Sequence, residues 1–145
     1  MKTALEGWQF WAVLSAIFAA LTAIFGKVGV EGVNSDLATL IRTVVILAIC
    51  FAIVAVSRAW QPPASIAPRT WLFLLLSACA TGASWLCYYR ALKLGPASKV
   101  APVDKFSVVL VALFGVAFLG ERLTPGGWIG VVLIATGATV IALGI

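Results

Sequence analysis

Long apolar runs decide what this chain can fold into. Five stretches, at about residues 8–26, 37–57, 70–89, 97–119 and 126–144, are each close to the roughly 20 residues an α-helix needs to cross a hydrocarbon core. Of 145 residues 63% are hydrophobic and 10% charged, with a mean hydropathy of +1.12. A soluble domain carries about a quarter charged residues, so this chain cannot clothe itself in polar surface. The runs do not alternate polar and apolar positions, which argues against a β-barrel. The expected fold is an all-α integral membrane protein of five transmembrane helices, a single domain over residues 1–145.

Turn chemistry agrees with those limits. Asn34, Ser35 and Asp36 offer capping oxygens to the second helix, Gly95 and Pro96 separate the third from the fourth, and Thr124-Pro125 pairs an N-cap with a proline at the first helical position. The proline-rich loop at 60–68 is the expected flexible connector. Met1-Lys2 followed by an apolar run imitates a secretory leader, but the run is too long for one and four more follow, so it is taken as a span. Cys50, Cys79 and Cys87 fall within spans without paired spacing and are expected to behave as small hydrophobes.

An odd number of spans puts the termini on opposite sides. The N-terminal side carries Lys2, Arg58, Arg69 and Arg122; the other carries Lys27, Arg42, Arg90, Lys93, Lys99 and Lys105. Four against six is too small a bias to fix an orientation. Insertion both ways round would show such balance, and so would a weakly oriented ordinary protein.

The charges on the second side are the functional clue. A charge at the middle of a membrane helix costs about 2.5–3.5 kcal/mol on insertion scales. At the α-helical rise, Asp104 lies roughly 10 Å into its span and Arg42 roughly 8 Å into the second. Asp104 is too short to snorkel and needs a partner, water or a proton. Lys105 beside it should point about 100° away and be a poor partner, leaving Arg42 or Lys27 as better ones. Two readings stay open: an ion pair locking the second helix to the fourth, or groups lining a substrate path. The gathering of Lys27, Arg42, Asp104 and Lys105 at one level, beside Trp85, Tyr88 and Tyr89, favours a positive vestibule for anions or zwitterions. Arg90, Lys93 and Lys99 belong either to that vestibule or to interfacial anchoring near lipid phosphates.

Small residues describe packing. Gly130, Gly137 and Gly144 recur every seven residues on one face of the fifth span, and Gly126 with Gly130 makes a GxxxG suited to close helix approach or dimerisation. With no histidine, no metal-ligand cluster and no nucleophile–base pair, neither an enzyme nor a cofactor or metal site is expected. The net charge of +5 is spread over membrane edges, so nucleic-acid binding is not expected either.

The segment YYRALKLGPASKVAPVDKFSVVLVALFGVAFLGERLTPGGWIGVVLIATGATVIALG, residues 88–144, resembles the second half of an EamA repeat of the drug/metabolite transporter superfamily. WAVLSAIFAALTAIFGKVGV, residues 11–30, is similar to the first helix of that repeat. The resemblance implies one five-helix repeat, where many relatives carry two inverted repeats with substrate between them. It implies the half-size branch, with a dimer, possibly an antiparallel homodimer, completing the path. It does not transfer a substrate, since relatives handle amino acids, other metabolites, sugar-linked compounds and drugs. The first span lacks the membrane-embedded glutamate of the four-helix multidrug branch, and a positive vestibule would repel cationic drugs.

The expected function is therefore secondary transport, as an exporter of small anionic or zwitterionic metabolites, in the plasma (inner) membrane of a prokaryote. The alternatives are a subunit of a heterodimeric flippase for a sugar-linked lipid, or a non-transporting accessory membrane protein.

Overall fold

A computed structural model describes residues 7–144, and Lys2, counted above among the cations, lies outside them. The chain forms α1 (Trp8–Val30), α2 (Ser35–Val56), α3 (Pro68–Leu94), α4 (Ala97–Asp104), α5 (Phe106–Leu119) and α6 (Pro125–Leu143), with no strand among the described residues. Taking α4 and α5 together, five helical segments are long and apolar enough to cross a membrane. Their surface fits that solvent: large apolar side chains such as Phe118, Leu133 and Val132 face outward, and few are buried. The chain is an all-α integral membrane protein.

The helix ends follow the capping chemistry. Asn34 Oδ1 accepts the backbone N–H groups of Asp36 (2.8 Å) and Leu37 (3.3 Å), and Thr124 Oγ1 accepts that of Gly127 (3.2 Å). Gly120 (φ 69°) and Gly144 (φ 73°) take the left-handed conformation that ends α5 and α6. Hydroxyls inside the helices turn back on their own backbone, as Thr39 does on the Ser35 carbonyl (2.9 Å) and Thr139 on that of Ala135 (2.8 Å). Those hydroxyls do not then seek a partner in lipid.

Three features differ from the sequence reading. The first and third helices run on, to Val30 and Leu94 instead of 26 and 89, so the Tyr88–Lys93 stretch is helical. Gly26 is not a terminus, and Gly95-Pro96 is what ends α3. The fourth span is broken at Lys105. Pro102 has no N–H to give the Ser98 carbonyl, and the Lys105 N–H is shared between the carbonyls of Ala101 (3.3 Å) and Pro102 (3.1 Å). The loop at 60–68, expected to be a flexible connector, holds a 3-10 turn at Pro63–Ser65. It is tied down by Ser65 Oγ donating to the Pro62 carbonyl (2.7 Å), by Trp71 Nε1 donating to Pro63 (3.4 Å) and by Trp60 edge-on to Phe51.

The chain divides into two compact units. One comprises Gly26–Lys93: the last turn of α1, all of α2 and nearly all of α3. Its small core holds Val30 and Leu92, both fully buried, with Tyr89. The other joins the first part of α1 to residues 94–144, where α6 packs on α4 and α5. There Gly115 leaves room for the Glu121 carboxylate: a Cβ on it would stand 2.6 Å from Oε2.

Candidate functional site

Helical spacing builds the site in the Gly26–Lys93 unit. On α3, Trp85, Tyr89 and Leu92 share a face; on α2, Ser35, Ala38, Thr39 and Arg42 do. These faces meet, so that the Arg42 guanidinium lies 4.0 Å from the centre of the Trp85 ring and 5.1 Å from that of Tyr89. Gly26 lets α1 come close, for a Cβ there would stand 3.1 Å from Tyr89 Oη. An open groove of about 200 Å³ is lined by Gly26 and Gly29 of α1, Ala38, Ile41 and Arg42 of α2, and Tyr89 of α3, with Val33 at the turn.

Three of the cations expected at that vestibule or at the interface, Lys27, Arg90 and Lys93, have partners of their own. Lys27 Nζ donates to the Leu92 carbonyl at 2.8 Å, one of the carbonyls that the end of α3 leaves without an intrahelical partner. Lys93 Nζ donates to the Val33 carbonyl at 2.7 Å. Arg90 grips Asp36 with two bonds, Nε to Oδ1 at 3.2 Å and Nη2 to Oδ2 at 2.8 Å. Together they fasten the end of α3 to the α1–α2 turn. Asp36 is the residue that sequence reasoning missed in this role, having read it as capping chemistry alone. Its partner became legible only once α3 extended far enough to bring Arg90 to the first turn of α2.

Arg42 stands apart. Its Nη1 is buried with no hydrogen-bond partner among the described residues. The cation–π contacts offset roughly 0.5–2 kcal/mol of an insertion cost of about 2.5–3.5 kcal/mol. A buried unsatisfied donor adds about 1–3 kcal/mol more. The guanidinium also borders the groove, and a planar fork of this kind suits a carboxylate. Trp85 and Tyr89, expected as stacking surfaces for a guest, instead hold the arginine. The Tyr88 ring lies 6.3 Å from that of Tyr89, edge-on.

The remaining predicted residues lie in the other unit. Asp104 ion-pairs with Lys105 at 3.7 Å, contrary to the expectation that they would be poor partners; the long lysine side chain reaches back to its neighbour. Both side chains are exposed, at 38% and 53%, so the pair is a weak tie. Lys99 Nζ lies at the end of α6, 3.1 Å from where a Gly144 Cβ would be, a favourable place for a cation at a helix C-terminus. A Cβ added to Gly130 or Gly137 would meet nothing within 4 Å, and at Gly126 only the Thr124 hydroxyl at 3.9 Å.

Comparison with known proteins then adds two findings. The profile of the EamA-like transporter family matches residues 7–143. A protein of Sinorhizobium sp named "Uncharacterized transporter in cobO 3'region" is 64% identical over 138 residues, covering 95% of this chain and 98% of that protein. No solved structure matches the chain.

Proposed function

The chain belongs to the EamA-like transporter family, and from that premise we propose that it is a secondary transporter exporting small anionic or zwitterionic metabolites. The observation that carries the substrate charge is the Arg42 guanidinium, steered by Trp85 and Tyr89, with a buried N–H unpaired at an apolar groove. The path is completed by a second copy, parallel or inverted. A bacterial relative supports residence in the plasma (inner) membrane of a prokaryote. Asp104 and Lys105, expected on such a path, form an exposed ion pair in the other unit, and the proposal rests on Arg42 without them. The alternative of a flippase for a sugar-linked lipid loses support, because Lys27, Arg90 and Lys93, which would hold a phosphate headgroup, already have partners.

Counterflow of labelled amino acids and organic acids in proteoliposomes tests this. At least one acid should exchange, and Arg42→Gln should cut the exchange roughly tenfold or more while the protein stays folded. Exchange that ignores Arg42 would remove it from the path.

A further inference from the structure

We infer that the groove beside Arg42 takes a small monocarboxylate with an apolar body, in preference to a zwitterion, a phosphate or a drug-sized molecule. This rests on reading the groove as the transport site and narrows what enters it. Four observations converge.

The first is charge. Of the four cations in the Gly26–Lys93 unit other than Arg58 and Arg69, Lys27, Arg90 and Lys93 are engaged with Leu92, Asp36 and Val33. Only the Arg42 guanidinium, with its unpartnered Nη1, lines the groove. One fork suits one carboxylate, which it can hold through two parallel bonds; a phosphate dianion would keep half of its charge uncompensated.

The second is the absence of a counter-charge for an ammonium. No carboxylate is among the residues lining the groove, Asp36 is held bidentately by Arg90, and the Val33 carbonyl already receives Lys93. An amino acid would have to bring its ammonium out of water with no acid to meet it. The third is the lining itself. Apart from Arg42 and Tyr89, the lining residues are Gly26, Gly29, Val33, Ala38 and Ile41, surfaces that reward an aliphatic body.

The fourth is size. The groove holds about 200 Å³, below the roughly 300–1,000 Å³ of pockets for drug-sized ligands.

The test compares molecules of one shape. Leucine, its deaminated counterpart 4-methylpentanoate, and 3-methylbutylamine, which keeps the amine and loses the carboxylate, are titrated into the full chain in nanodiscs. Binding is measured instead of flux, because a neutral carboxylic acid crosses bilayers unaided. Equilibrium dialysis gives the affinity, and emission of Trp85, identified by its loss in Trp85→Phe, reports occupancy beside Arg42. The expected order is 4-methylpentanoate tighter than leucine by about tenfold or more, with no binding of the amine. Arg42→Gln should abolish binding of the acid, and Arg42→Lys should weaken it by removing the fork. Gly29→Val should also abolish it without unfolding the protein, since a Cβ there meets nothing within 4 Å and only fills the groove.

Leucine binding as tightly as the acid in an Arg42-dependent way would overturn the monocarboxylate assignment and leave the proposed transport function standing. Dodecanoate binding more tightly than 4-methylpentanoate would overturn the size limit. Acid binding that survives both Arg42→Gln and Gly29→Val would overturn the site itself.

Discussion

Arg42 and Asp36 answer the same problem, an ionic group carried on a membrane helix, in opposite ways. Asp36 finds a guanidinium and is closed off by it; Arg42 finds two aromatic rings and keeps an N–H to give. Exchanging the partners in the first pair tests the structural role. Asp36→Arg and Arg90→Asp should each loosen the end of α3, seen as a lower melting temperature in detergent, and the double swap should restore it. A melting temperature unmoved by either single change would show that the pair fastens nothing. Gly26 makes a sharper case, because its Cβ position is 3.1 Å from the Tyr89 hydroxyl. Gly26→Val should cost about 1–3 kcal/mol by overpacking, read from thermal unfolding in detergent, and should displace Tyr89 from Arg42. The sequence made Arg42 legible as an expensive cation but concealed its unique standing. Which lysines spend themselves on carbonyls depends on where helices stop, and residue spacing alone places those stops poorly.

At the level of elements, the apolar runs and their caps were readable because they are local. Asn34, Thr124 and Gly120 each act within a few residues of themselves, and each does what its residue type suggests. Thr124→Ala should therefore cost about 1 kcal/mol of stability through the lost cap of α6, measured by thermal unfolding beside Asn34→Ala, which frees two N–H groups instead of one. The break in the fourth span was less legible, although its cause, Pro102, stands in the sequence. Prolines are tolerated in membrane helices, and whether one kinks or parts the helix depends on how the freed carbonyl is met. Pro102→Ala should join α4 to α5 and raise the melting temperature; if the break serves transport, counterflow falls as stability rises. A variant with unchanged stability would mean the break is held by its surroundings and not by the proline.

For the whole molecule, the partner proposed to complete the path is the central structural question. Gly130 and Gly137 on α6 are open to a Cβ within the described chain, so only another molecule would notice one. Gly130→Leu with Gly137→Leu should lower cross-linked dimer severalfold in membranes while leaving thermal stability of the chain intact; an unchanged dimer would place the interface on another face. Reporter fusions at both ends, with labelling of the loop at 60–68, read orientation directly, and labelling of that loop from both sides of the membrane is expected for an inverted pair. Nothing in the residue pattern could have decided between parallel and inverted, because the basic residues are nearly balanced between the two sides.

The most direct measurement is on the guanidinium itself. With arginine nitrogen-15 labelled and Arg42→Lys used to assign its signals, solid-state NMR of the protein in lipid should show Arg42 Nη1 free of a strong acceptor, then shifted and slowed in exchange when the transported acid is added. Arg90, already clasped by Asp36, should not respond. An Arg42 signal that is indifferent to every acid the protein moves would contradict the account, whatever the fluxes show.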